Sequence, residues 1–314
     1  MAKPSYTGRA TEEPNAYLYQ RIEVLEPGTP LPTLRDGQRG AAIIGYAVDE
    51  GVRLNQGRTG AADGPAALRA SLGREVDRTG GSLRVVDLGD VTHAGERLSD
   101  TLRALSREVA RAREAGYYTV VLGGGHDLAA GHYAGLHRYA APDTSGALGV
   151  VNFDAHLDLR PLGAQGPTSG TPFTLIAQRN VERQQPFRYA CVGVQDTANT
   201  AGLLQRARDL GVVLVPLREM ATAEGRLTGF GESCTALHVT VDLDGFPAEV
   251  SPGVSAPGVD GLGYRAVRGL LWQLVASGKV IGFDVAECNP TYDIDGRTAR
   301  LGARLVSDFL EACA

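Results

Sequence analysis

The chain of 314 residues contains no apolar run long enough to cross a membrane. Its opening stretch, broken by Pro4, Glu12, Glu13 and Pro14, has no apolar centre of the kind a secretion signal requires. Cysteine is scarce. Cys191, Cys234, Cys288 and Cys313 stand far apart and form no CxxC pair, so they read as reduced thiols, and a cytoplasmic setting is expected. Positive charge is not in excess: 31 Lys+Arg against 36 Asp+Glu leave a net charge of -5. That balance argues against broad binding to nucleic acid or to an acidic membrane. Neither GxGxxG nor GK[ST] occurs, which removes the common phosphate loops. There is no internal repeat, low-complexity tract or linker.

What is present suffices for a large core. Hydrophobic residues make up 43% and charged residues 21%, a composition of neither a disordered chain nor a coiled coil. At this length about three quarters of the unfolded surface can be buried, so no metal is needed merely to fold. Residues 1–39 hold Pro4, Pro14, Pro27, Pro30 and Pro32 and few apolar runs. They are expected to form an irregular arm lying on the domain or on a partner subunit. Residues 40–314 read as one domain. Apolar, β-branched runs occur at 42–47, 83–88, 118–122, 148–153, 190–194, 212–215, 237–241 and 280–283. They are short and mostly uncharged, as strands covered on both faces are. Between them lie helix-like stretches; 98–115 has Leu102, Leu105, Val109 and Ala112 at helical spacing. The alternation predicts an α/β fold of three layers, α/β/α, around a central, mostly parallel sheet of about eight strands.

In an open parallel sheet, ligands bind at the carboxyl ends of the strands. Gly123-Gly124-Gly125-His126-Asp127 follows one predicted strand and Asp154-Ala155-His156-Leu157-Asp158 another. Asp242-Leu243-Asp244 ends a third, and Asp284 and Glu287 close the last. In extended backbone, alternate residues face one side, so Asp154, His156 and Asp158 can converge, as can Asp242 and Asp244. With His126 they make four carboxylates and two imidazoles. Buried together without cations, the carboxylates would repel and raise one another's pKa. Two divalent cations would neutralise four negative charges, provided some carboxylates bridge, with room for a shared hydroxide. Oxygen and nitrogen donors without thiolate favour Mn²⁺, ahead of Mg²⁺, Fe²⁺ or Zn²⁺. The glycine run reads as close backbone packing beside this site. A lone Asp at a strand end is usually a cap or turn residue; the three clusters together are what point to metal.

These segments resemble the signature of the ureohydrolase family, which includes arginase, agmatinase and formimidoylglutamase. The likeness runs from about Gly45 onward and takes in GGGHD, DAHLD, DLD and the loop Ser251-Pro252-Gly253-Val254-Ser255-Ala256-Pro257. Within the family, the formimidoylglutamase branch is resembled most. The segments pointing there are Asp49-Glu50-Gly51-Val52-Arg53-Leu54-Asn55-Gln56-Gly57-Arg58, Asp158-Leu159-Arg160, Ser169-Gly170-Thr171-Pro172-Phe173, Ala198-Asn199-Thr200 and Glu287-Cys288-Asn289-Pro290. The resemblance implies an arginase-like fold and two Mn²⁺ per subunit. It implies that His126 holds one metal with Asp158, that His156 holds the other with Asp244, and that Asp154 and Asp242 bridge. It also implies a homo-oligomer. Arginases carry a histidine where this chain has Phe173, so that proton-shuttle role is missing or moved.

The implied reaction is hydrolysis of N-formimidoyl-L-glutamate to L-glutamate and formamide, a step of histidine degradation, by a hydroxide between the two metals. Hydrolysis of a guanidino acid, agmatine or arginine is the alternative. A substrate with two carboxylates and an amidinium needs cationic groups and an anion. Arg160, two residues past Asp158, is placed to fork a carboxylate, and Arg58 is a second candidate whose other reading is a bond to loop carbonyls. Glu287 is expected to hold the amidinium, with Ser169 and Asn199 as weaker contacts. Asp158 is the candidate to carry a proton to the leaving nitrogen.

Overall fold

The computed structural model describes residues 4–95, 97–140 and 147–314; the first three residues of the expected arm lie outside them. Nine strands among the described residues form one sheet. They are β1 (Glu23–Val24), β2 (Arg39–Ala47), β3 (Leu83–Thr92), β4 (Tyr118–Gly123), β5 (Leu148–Phe153), β6 (Arg188–Val194), β7 (Val213–Pro216), β8 (Ala236–Asp242) and β9 (Val280–Ala286). Their order is β1-β3-β2-β4-β9-β8-β5-β6-β7, and every pairing is parallel. The helices are α1 (Glu50–Leu54), α2 (Gly64–Leu72), α3 (Leu98–Glu114), α4 (Leu128–Ala140), α5 (Pro172–Glu182), α6 (Ala201–Asp209), α7 (Ala223–Glu232), α8 (Tyr264–Ala276) and α9 (Arg297–Cys313).

Strand side chains alternate between two cores, which is what three layers require. Ile43, Val85, Val120, Val151, Val239 and Phe283 pack with α2, α7, α8 and α9. Ala42, Ile44, Val121, Val150 and Cys191 pack with α3, α4, α5 and α6. Both faces of β5 and β8 are buried throughout, and their near-continuous apolar sequences follow from that.

Nine strands agree with the expected sheet of about eight, and β1 is the one with no apolar run in the sequence to mark it. β1 lies inside the arm, is two residues long and pairs with β3 at the sheet's edge. So short a piece carries no period to read; backbone pairing makes it. The arm is tied down further by the Tyr6 hydroxyl, which donates to Asp87, itself buried and gripped by the Arg69 guanidinium at 2.7 Å. Among the described residues no helix is long and apolar enough to cross a membrane.

Four neighbouring central strands, β4, β9, β8 and β5, deliver the carboxylate and imidazole clusters to one rim. Gly124, just past β4, permits this. A Cβ there would stand inside contact distance of the Tyr46 and Val48 carbonyl oxygens. Gly124→Ala is therefore expected to destabilise the protein by about 1–3 kcal/mol, measured by denaturant unfolding; an unchanged midpoint would contradict this packing.

Candidate metal centre

Two groups of ligand atoms lie at the rim. His126, Asp154, Asp158 and Asp242 form one, and Asp154, His156 and Asp244 form the other. Asp154 belongs to both, whereas Asp242 falls in the first only. The His126 Nδ1 stands 2.9 Å from Asp242, 3.1 Å from Asp158 and 3.4 Å from Asp154. The His156 Nδ1 stands 3.3 Å from Asp244 and 3.4 Å from Asp154.

The convergence is built differently from the extended geometry expected. At both strand ends an aspartate turns the chain. Asp154 accepts from the His156 N–H at 2.7 Å, and Asp242 accepts from the Asp244 N–H at 2.8 Å. These are Asx turns, in which a short carboxylate replaces a backbone acceptor two residues on. Asp158 then adopts φ +47° and Glu287 φ +66°. Such left-handed backbone is costly for a non-glycine residue and is held by its surroundings. At Glu287 the hold is explicit: its N–H donates to the Gly124 carbonyl at 2.7 Å, and its Oε1 accepts from the His126 N–H at 3.0 Å.

The electrostatics call for cations. Burial first, and the neighbouring Asp154 charge among the rest, push Asp158 up to about 6. Burial and then Asp242 push Asp244 well above the carboxylate range. Glu287 rises likewise through burial, Asp242 and Asp244. The buried His126 Nδ1 has no hydrogen-bond partner, and neither has the Glu287 Oε2. An imidazole nitrogen left open among three carboxylates is a metal-ligand arrangement. Around an ion at about 2.1 Å, adjacent ligand atoms stand about 3.0–3.4 Å apart, close to the spacing seen here. The other ring nitrogen, Nε2, lies 3.0 Å from the Thr240 Oγ1, which sets the ring's orientation. Thr240 escaped the sequence reading, since a threonine in a strand carries no signal of its own.

The expected substrate residues separate. Arg160 and Ser169 line the cavity over the clusters, together with Glu287, and the Arg160 side chain is exposed. Asn199 also lines it, but its amide is engaged in bracing the loop that carries Asp154, His156 and Asp158. It accepts from the Leu157 N–H and donates to the Ala155 and Gln195 carbonyls, each at 2.9 Å. Arg58 is not part of the cavity lining. It donates to the Val254 carbonyl and lies 4.1 Å over the Tyr292 ring, which is the loop bond given as its other reading. Asn55 and Ser255 line the cavity and were not singled out, although both lie in segments the family likeness had marked. Phe173 is fully buried, edge-on to His126 at 5.6 Å and stacked on Tyr189 at 4.2 Å. It forms an apolar wall, not a proton carrier. Cys288 is buried, and burial pushes its thiol up, away from reactivity.

A family model described as the arginase family matches residues 39–311. A formimidoylglutamase of Aeromonas hydrophila is 42% identical over 287 residues, covering 90% of this chain and 90% of that protein. One of Chromobacterium violaceum is 44% identical, covering 86% of this chain and 87% of that protein. The crystal structure of Trypanosoma cruzi formiminoglutamase with Mn²⁺ superposes with a TM-score of 0.78 at 27% identity, over 87% of this chain and 93% of that one.

Ligands must be deprotonated to bind a cation, so affinity follows their ionisation. With Asp158 raised to about 6, the protonated form dominates below that pH in the metal-free protein. Mn²⁺ affinity is expected to weaken as pH falls through about 6, by calorimetric titration. An affinity independent of pH over that range would contradict the ligand set.

Proposed function

The chain belongs to the arginase family, and on that premise we propose that it hydrolyses N-formimidoyl-L-glutamate to L-glutamate and formamide with two Mn²⁺ per subunit. His126, Asp154, Asp158 and Asp242 would hold one cation and Asp154, His156 and Asp244 the other. Bound there, the pair supplies a hydroxide nucleophile at neutral pH and charge stabilisation for the tetrahedral transition state.

The observation that carries the substrate reading is the polarity of the cavity. At its floor the Glu287 Oε2 is buried and unpartnered, an acceptor open to N–H donors. At its mouth stands the exposed guanidinium of Arg160. An amidinium at one end and carboxylates at the other match that arrangement; a substrate cationic at both ends does not. Glu287 binds the amidinium through charge-assisted hydrogen bonds and turns its carbon toward the metal groups. Arg160 forks a glutamate carboxylate. The Asp158 Oδ2 faces His126, which leaves Oδ1 to take the proton of the attacking hydroxyl and hand it to the α-nitrogen as the C–N bond breaks. Phe173 keeps the wall beside His126 dry. The curated relatives support the substrate class, and the free buried cysteines support a cytoplasmic setting.

Incubation of Mn²⁺-loaded protein with N-formimidoyl-L-glutamate, L-arginine, agmatine and guanidino acids is expected to yield glutamate and formamide from the first alone. Urea from any guanidino substrate would overturn the acidic-substrate reading. Arg160→Ala is expected to raise KM about tenfold with kcat nearly unchanged, and Glu287→Gln to lower kcat/KM about 10- to 100-fold. An unchanged KM in Arg160→Ala would refute its carboxylate role.

A further inference from the structure

A second cluster of titratable groups lies beneath the metal centre, inside the sheet. His132 on α4, His238 on β8 and Asp284 on β9 are all fully buried. The Asp284 Oδ2 accepts from the His132 Nδ1 at 2.7 Å and from the His238 Nε2 at 2.5 Å. The His132 Nε2 meets the Thr119 Oγ1 on β4 at 2.7 Å. These contacts assign the tautomers: each imidazole gives one N–H to the carboxylate, and His132 accepts the threonine hydroxyl with its other nitrogen. The two rings lie 4.4 Å apart. Gly282 makes the room, since a Cβ there would stand 2.6 Å from Leu136 Cδ1, 2.7 Å from His132 Nε2 and 3.0 Å from Thr119 Oγ1.

The group is hydrogen-bonded and does not have the spacing of a third cation site. Its nitrogen–oxygen distances are 2.5 and 2.7 Å, against 2.9–3.4 Å in the two groups at the rim. Burial holds His132 down to about 4, in keeping with a neutral ring.

Its position gives it a task. The β8–β9 pairing has an irregularity: Leu237 stands opposite Val280, yet His238 stands opposite Gly282. From there the register runs unbroken to Asp242 opposite Ala286. A one-residue slip in this stretch would turn Asp242 to the other face of the sheet. The cluster sits at the first pairs beyond the irregularity and joins β4, α4, β8 and β9. His126 lies two residues before α4, Asp242 ends β8 with Asp244 two residues beyond it, and Glu287 follows β9.

We propose that Asp284, bonded to His132 and His238, is a positioning group that locks the register of β8 against β9 and thereby places His126, Asp242, Asp244 and Glu287. The proposal rests on the metal-centre reading above but not on the identity of the substrate.

The test is Mn²⁺ affinity of the metal-free protein by calorimetry, with circular dichroism to show that each variant is folded. Asp284→Leu fills the space without an acceptor and is expected to weaken Mn²⁺ binding by about tenfold or more. Asp284→Asn still offers one oxygen to both imidazoles and is expected to restore affinity to within about threefold. A folded Asp284→Leu with unchanged affinity would overturn the proposal. So would an Asp284→Asn as impaired as Asp284→Leu, because charge and not the lock would then matter. A third equivalent of Mn²⁺ lost on Asp284→Leu would also overturn it, in favour of a metal site. Should Asp284→Leu fail to fold, His132→Phe decides. It cuts the tie to α4 alone and is expected to weaken binding by a smaller factor, and unchanged affinity there would refute the lock. No substrate enters these measurements, so a wrong substrate assignment would leave their outcome untouched.

Discussion

Four carboxylates, three in one group and two in the other with Asp154 shared, whose ligand atoms lie within 4.8 Å of one another in each group at the rim of a sheet, are the constraint on which this molecule is organised. Such a set repels itself, and burial makes the repulsion stronger. The raised Asp158, Asp244 and Glu287 are the signature of that conflict. Divalent cations would resolve it, and on the proposed reading would also supply a nucleophile at neutral pH.

The sheet order explains why the conflict arises at one place. β4, β9, β8 and β5 are neighbours, so the segments that follow them share a single mouth. Crossover helices bring strands distant in sequence side by side, with all carboxyl ends on one edge. Gly124 allows close backbone approach there, and the Asx turns at Asp154 and Asp242 curl each strand end into a ligand-bearing loop. Asn199 then braces the loop that carries Asp154, His156 and Asp158. On the proposed reading, substrate selection would be a separate layer, formed by side chains such as Arg160 that stand on the rim and carry no part of the core.

Much of this was legible in residue order. The strands at 148–153 and 237–241 announced themselves because a strand buried on both faces must be apolar throughout, and the clusters after them stood out as charge against that background. β1 was not legible, because two residues at an edge have no period. Arg58 and Asn199 stayed ambiguous for a shared reason. An arginine or asparagine in a glycine-rich or turn segment serves a ligand or a carbonyl equally well, and only the positions of Val254, Tyr292, Leu157 and Ala155 decide. Asp284, His132 and His238 were likewise hidden. His238 and His132 lie 46 and 152 residues from Asp284 along the chain, and only the register of β8 and β9 together with the packing of α4 brings the three together.

The central claim is that two cations share Asp154. Electron paramagnetic resonance of the protein loaded with two equivalents of Mn²⁺ tests it most directly. Ions bridged at about 3.5–4 Å are exchange-coupled, and the account predicts that the six-line pattern of isolated Mn²⁺ gives way to a coupled spectrum as the second equivalent binds. A six-line spectrum persisting at full loading would contradict it.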